Sequence, residues 1–359
     1  MHARTTPVTE TRLVRRRALM AGLLRGAGRL LPGLALCAAI AAAAQGLQAL
    51  ERGLFGHAWL DALVLAILIG AAIRTAWEPA PAFRPGIRRA SGTLLEVAVV
   101  LLGASLDVRA VAEGGLRLPL VIGGVVALCL AAGYGAGRLL RLPHRTAMLI
   151  ACGNAICGNS AIAAVAPVLG AGAKEVASAI AFTAALGVLV VLALPPLGTA
   201  LALSPPQYGV FAGLTVYAVP QVLAATAPFG SLAMQAGTLV KLLRVLMLGP
   251  VVLGLSILQR RRGMPVDRRL PVTRFVPWFI LGFLALAAAN AAGLVPLAAR
   301  APLHGLAGLL TTLAMAALGL GVELRGLLRA GPRILGAAAV ALLILACASL
   351  PAIVLLGLD

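Results

Sequence analysis

Between Leu232 and Leu258 the chain is apolar and long enough to cross a bilayer, yet Lys241 and Arg244 sit in its middle. Two cations three residues apart share one helix face. Each costs roughly 2.5–3.5 kcal/mol or more at the centre of a membrane helix. A chain that keeps such a pair must supply something negative to meet it. No acidic residue lies nearby in sequence, so the pair points to the path of an anion.

The rest of the chain has the same character. Of its 359 residues, 61% are hydrophobic and only 11% charged, which places it among polytopic all-α membrane proteins. Eleven apolar segments follow one another, at about 31–50, 57–76, 90–106, 117–137, 146–168, 174–195, 206–227, 232–258, 275–298, 303–322 and 334–357. Residues 1–30 form a basic cytoplasmic or interfacial segment, and 31–359 form the membrane domain. The apolar run after the basic segment is too long for a cleaved leader.

The net charge of +19 does not indicate nucleic acid. Its Lys and Arg lie in short clusters between apolar runs, without interleaved aromatics. It orients the chain in the lipid instead. With the N-terminus in the cytoplasm, 23 Lys and Arg fall inside and 5 outside, so eleven spans put the C-terminus outside. The expected location is the inner (plasma) membrane.

Two segments repeat at an offset of 216. Leu102-Gly-Ala-Ser-Leu-Asp-Val-Arg109 matches Leu318-Gly-Leu-Gly-Val-Glu-Leu-Arg325, with Asp107 facing Glu323. The copies join spans 3–4 and spans 10–11, which run in opposite directions. That is the pattern of an inverted-topology repeat.

Span 5 carries Gly153, Asn154, Cys157, Gly158, Asn159 and Ser160 at its centre. Gly, Asn and Ser favour local backbone hydrogen bonds over helix, so the span is expected to be broken between Gly153 and Ser160. Unwound backbone at that depth persists only where it lines a cavity or is buried in protein. In span 7, Pro220 is expected to kink the helix, with Tyr217 and Gln221 one turn apart. The candidate substrate site is therefore Asn154, Cys157, Gly158, Asn159, Ser160, Tyr217, Gln221, Lys241 and Arg244.

Other classes find less support. Cys157 or Ser160 as the nucleophile of a membrane enzyme lacks a nearby base. A passive anion channel and a non-transporting assembly partner fit broken helices and repeats less well than a carrier. Cys152 and Cys157 fall on different helix faces, which is poor metal-ligand spacing, and no cofactor motif is present. Gly133-Tyr-Gly-Ala-Gly137 reads as close helix packing, not a phosphate loop. Self-association is left open.

Ala155-Ile-Cys-Gly-Asn-Ser-Ala-Ile162, Ala236 to Pro250 with Lys241-Leu-Leu-Arg244, and Ala316-Ala-Leu-Gly-Leu-Gly321 resemble the YeiH-type family of sulfate exporters. The likeness runs from about Leu60 onward. It implies kinship with the superfamily of cation/proton antiporters and anion transporters. Inverted repeats, crossed broken helices and export of sulfate or an organosulfonate would follow from it. The family pattern has a His and an acid in span 7 where this chain has Tyr217 and Ala218, while Gln221-Val222 is kept.

Overall fold

The computed structural model describes residues 8–55, 61–105, 115–261, 278–322 and 332–357. Asp107, Glu323, His57 and residues 262–277 lie outside the described residues, so the charged centres of the two repeat segments do too. Among the described residues there are helices and turns and no strand.

Each apolar segment coincides with a helix or a succession of helices. These are α1 (Val8–Phe55), α2 (Ala62–Ala76), α3 (Arg84–Arg89) running through a π turn (Ala90–Leu94) into α4 (Leu95–Leu102), and α5 (Arg117–Leu139). Then come α6 (His144–Ala155), α7 (Asn159–Leu169), α8 (Ala173–Ala200), α9 (Pro205–Thr215) and α10 (Val219–Thr226). The chain continues with α11 (Ser231–Leu246), α12 (Leu248–Arg261), α13 (Trp278–Ala291), α14 (Leu297–Gly321) and α15 (Pro332–Leu355). Five stretches are long and apolar enough to cross a membrane: Gly28–Leu54, Arg117–Leu139, Ser231–Gln259, Leu297–Gly321 and Arg333–Leu355. The helix of α1 is unbroken across residue 30, so the boundary there is one of composition only.

The helices form two packed groups. In one, α1, α2, α3–α4 and α14 share a core around Ile67, Ala316 and Leu320. Its helices approach backbone to backbone through small residues. A Cβ on Gly70 would lie 2.6 Å from the carbonyl of Ala316, and one on Gly319 would collide with that of Ile67. The second group contains α5 to α13 and α15 around Ile150, Ile162, Phe182 and Phe211. The expected Gly133 and Gly137 packing occurs here. A Cβ on Gly137 would meet the Cβ of Ala147 at 2.9 Å. The partners of the sequence repeat pack on each other, α4 on α14 and α5 on α15.

Spans 5 and 7 are broken as expected, but neither runs on in one direction after its break. Each folds back into a helical hairpin. In the first, Arg145 at the start of α6 lies 4.0 Å from where a Cβ on Gly170, just past the end of α7, would stand. Thr146 Oγ1 donates to Glu175 Oε1 in the first turn of α8 at 3.3 Å. At about 1.5 Å per residue, a straight path would part these groups by more than about 30 Å. Ile162 also packs on Gly153, where a Cβ would sit 3.0 Å from its Cδ1.

The second hairpin closes through aromatics. Tyr208, at the start of α9, stacks on Phe229, just past α10, with ring centroids 3.7 Å apart. Its hydroxyl donates to Ala225 O at 2.9 Å. Between the hairpins runs α8, whose 28 residues span about 42 Å. The hairpins therefore enter from opposite ends of the bundle. Arms of 12 residues (α6) and 11 (α9), about 18 and 16 Å, bring their tips together near its middle. Each hairpin is followed by one long helical run, α8 or α11–α12, so the two hairpin–helix units are oppositely directed.

Candidate functional site

The first tip is Ile156-Cys157-Gly158. The last turn of α6 is closed by Ile156 N–H to Cys152 O at 3.1 Å and Gly158 N–H to Gly153 O at 2.8 Å. Gly158 then reverses the chain at φ +66, a conformation side chains disfavour. The break is narrower than the sequence suggests. Asn154 is still helical, and Asn159 and Ser160 already begin α7.

The second tip is Val216-Tyr217-Ala218, in extended backbone at Val216 and Ala218. Pro220 does not kink a continuous helix. It stands in the first turn of α10, where its missing N–H costs nothing. Tyr217 therefore lies in the reversal and not a helical turn from Gln221. Gln221 instead folds back, its Oε1 accepting from Ala218 N–H at 3.3 Å.

Lys241 and Arg244 join the tips from α11. Both are fully buried, at 0% exposure. Lys241 Nζ donates to Ile156 O at 2.7 Å and to Val216 O at 2.8 Å, one carbonyl from each tip. Arg244 Nε donates to Ala155 O at 2.6 Å and Nη2 to Asn154 O. Its Nη1 donates to Leu214 O, with Val216 O at 3.2 Å and Gly213 O at 3.4 Å. The negative partner of the two cations is thus the backbone. They cap the C-terminal ends of α6 and α9, where helix dipoles concentrate negative charge. Sequence alone cannot show this, because the carbonyls are 25 to 90 residues away.

The opposite half-helices, α7 and α10, begin at the tips with their N-terminal ends. Gly158, at the N-cap of α7, has no side chain to cap it. First-turn N–H groups of a helix have no intrahelical partner and carry positive potential. The tips face two adjoining cavities of about 650 and 380 Å³, which share Ser91, Leu95, Cys157, Ser160, Tyr217 and Ala218. Lys241 lines the larger cavity; Gly158, Asn159 and Gln221 line the smaller. Tyr217 is 2% exposed, and its hydroxyl has no hydrogen-bond partner among the described residues.

Seven of the nine candidate residues therefore line the two adjoining cavities, and Arg244 is buried beside them. Asn154 points elsewhere. Its Nδ2 donates to Ala338 O of α15 at 3.3 Å, so the side chain ties α6 to a neighbour. The sequence reading missed Thr183 and Ser91. Thr183, a hydroxyl in the middle of apolar α8, donates to Asn159 Oδ1 and lies 2.9 Å from Ile180 O. Ser91, in the π turn, is the polar contribution of the other helix group to both cavities. Glu96 lines the larger cavity and accepts from Trp278 Nε1 at 2.8 Å. Among the described residues no cluster of His, Cys, Asp and Glu could hold a metal.

Comparison with known proteins bears on the assignment. A family model described as Conserved hypothetical protein 698 matches residues 32–338. A UPF0324 membrane protein of Brucella melitensis is 53% identical over 328 residues, covering 91% of this chain and 91% of that relative. One from Bradyrhizobium diazoefficiens is 51% identical over 317 residues, covering 88% and 90%. A more distant one from Bacillus cereus is 36% identical over 275 residues, covering 76% and 80%. Matches of this length and identity agree with the resemblance drawn from the Ile-Cys-Gly-Asn-Ser-Ala tip: the chain belongs to the UPF0324 family of membrane proteins.

Proposed function

We propose that the protein is a secondary transporter, working as an exporter, for a small anion, with sulfate or an organosulfonate as first choice. One observation carries the reading. Two half-helix N-termini converge on a shared cavity while the opposite, C-terminal ends are neutralised by buried Lys241 and Arg244. Had the C-terminal ends been left bare, their partial negative charge would offset the N-termini a few ångströms away. Capped, they leave a net positive field at the tips, the arrangement that holds oxyanions at helix ends. The unpartnered Tyr217 hydroxyl supplies a second, independent sign of a missing acceptor.

The choice of sulfate within this class rests on the family resemblance. Placement in the inner membrane, with the N-terminus in the cytoplasm and the C-terminus outside, rests on the distribution of Lys and Arg. The hairpins strengthen that bias. If span 5 does not cross, Lys174 moves to the inside and the uncharged turn after α8 moves outside. The tally shifts from 23 and 5 to 24 and 4. On that orientation the larger cavity extends from the tips along α7 to Pro167, near the cytoplasmic base of the first hairpin.

Counterflow of radiolabelled sulfate in proteoliposomes tests the reading. Saturable exchange is expected, and Tyr217→Phe should weaken anion binding by about tenfold, one charge-assisted hydrogen bond, without loss of folded protein. If neither sulfate nor any sulfonate is bound or moved, the substrate class is wrong. Normal binding by Tyr217→Phe would take the site away from the tips.

A further inference from the structure

Thr183 and Gly187 stand one turn apart near the middle of α8, the helix that runs between the two hairpins. Thr183 faces the first tip. Its Oγ1 donates to Asn159 Oδ1, and it lines the smaller cavity beside Gly158, Asn159 and Gln221. A Cβ on Gly153 would lie 3.4 Å from Thr183 Cγ2, so the methyl packs on the last turn of α6 while the hydroxyl reaches α7. Gly187 faces the second tip. A Cβ there would stand 2.5 Å from Gln221 Nε2, 2.9 Å from Oε1 and 3.0 Å from Cδ. The whole carboxamide of Gln221 thus lies over the bare backbone of Gly187, and the overlap is the same whichever way the amide is turned.

Nothing in the helix itself calls for glycine at 187. Its backbone is helical, without the positive φ that marks Gly158, and glycine in a helix interior is disfavoured against alanine. Glycines that let helices approach behave differently. At Gly70 and Gly319 an added Cβ would meet the backbone of the neighbouring helix. At Gly187 the three nearest atoms all belong to the far end of one flexible side chain. An alanine there would displace the amide before it displaced the helix. The hydrogen bond from Ala218 N–H to Gln221 Oε1 would be lost with the displacement.

We infer that Thr183 and Gly187 are positioning residues of the anion site: one face of α8 fixes the two carboxamides, Asn159 and Gln221, that line the smaller cavity from opposite tips. The tips arrive from opposite ends of the bundle, so neither can set the other's side chains directly. A shared wall at mid-height does so. A Gln left free spreads over many rotamers, and a site that must first order it binds more weakly than one that holds it ready. The inference rests on the anion reading above and adds residues outside both tips on which that site depends.

Four purified full-length proteins test the seat of Gln221: wild type, Gly187→Ala, Gln221→Ala and the double variant. Each is read by binding of radiolabelled sulfate and by melting temperature. Gly187→Ala should weaken binding by about tenfold, the worth of one polar contact to an anion. Once Gln221 is already alanine, the same change should weaken it by less than about twofold. Melting temperature reads the seat without any anion. Gly187→Ala should raise it in the Gln221→Ala background, where the methyl fills vacated space and favours helix, and should not raise it in the wild type. Wild-type affinity in Gly187→Ala, or equal shifts in both backgrounds, overturns the role of Gly187. Failure of Gly187→Ala to fold in either background does the same, because the glycine would then be packing against something other than Gln221. For the first tip, Thr183→Ser should bind within about twofold of wild type and Thr183→Val about tenfold more weakly. Normal binding by Thr183→Val removes Thr183 from the site. If the wild type binds no sulfate, the anion reading fails and the positioning role falls with it, while the melting-temperature cycle still decides whether Gln221 is seated on Gly187.

Discussion

The two hairpins reach the same end by different chemistry. The first is built from backbone and small polar groups. Gly158 reverses the chain at positive φ, and Thr146 and Glu175 tie its base to α8. The second contains no glycine in its tip. It turns through extended residues, starts its returning helix with Pro220, caps it with Gln221 and locks its base with the Tyr208–Phe229 stack. Both nevertheless hand their C-terminal carbonyls to Lys241 and Arg244 and their N-terminal ends to the cavity. The comparison teaches that what the fold requires at this site is the direction of the helix ends. Any local device that reverses the chain at the right depth can supply it.

The all-or-none test concerns the reversals themselves. If both segments are hairpins, a cysteine placed in the turn 170–172 and one in the turn 201–204 should label from opposite faces of the membrane, cytoplasmic and external respectively. Eleven crossings demand the reverse assignment for both turns. A tag at the C-terminus does not distinguish the two, because removing two crossings leaves its side unchanged.

The next largest effect should come from Arg244→Leu, which strands carbonyls of both tips at once. At about 1–3 kcal/mol per unpaired buried acceptor, a loss of at least about 3 kcal/mol is expected. It would be seen as a collapse of thermal stability and of monodispersity in detergent. An unchanged melting temperature would mean that the tips do not depend on the cation.

The third prediction separates the hairpins. Gly158→Ala should cost about 1–2 kcal/mol, since its φ of +66 disfavours a side chain and the new Cβ would lie 3.3 Å from that of Tyr217. Ala218→Ser at the other tip, in extended backbone, should change stability by no more than about 0.5 kcal/mol. Comparable losses at both positions would show that the two reversals are equally strained. Smallest is Tyr208→Phe, which keeps the stack on Phe229 but leaves Ala225 O without its donor, at about 1 kcal/mol. A denaturation midpoint equal to that of the native protein would assign the base of the second hairpin to the stack alone.

Much of the site was legible in the chain because its chemistry is unusual for a membrane interior. Gly158, Asn159 and Ser160 disturb an otherwise apolar run, Pro220 and Gln221 another, and Lys241 and Arg244 a third. Each is costly in lipid and so had to be explained. Thr183 and Ser91 were missed for the opposite reason. A hydroxyl in a helix can satisfy itself on the preceding turn, and it leaves no mark in the pattern that separates packing from function.

The sequence by itself determined that the chain is helical, apolar and broken near its centre, because hydropathy and the preferences of Gly, Asn and Pro act over a few residues. It could not determine whether a broken apolar segment crosses or returns. Twenty-odd apolar residues satisfy both paths, and the choice is made where Thr146 meets Glu175 and Tyr208 meets Phe229, contacts 29 and 21 residues apart. Nor could it say what the buried cations face. Charge in sequence shows only other side chains, while the strongest negative groups near Lys241 and Arg244 are backbone carbonyls that every residue carries. Only the folding back of two hairpins from opposite ends concentrates those carbonyls at one point and brings the starts of α7 and α10 to the cavities.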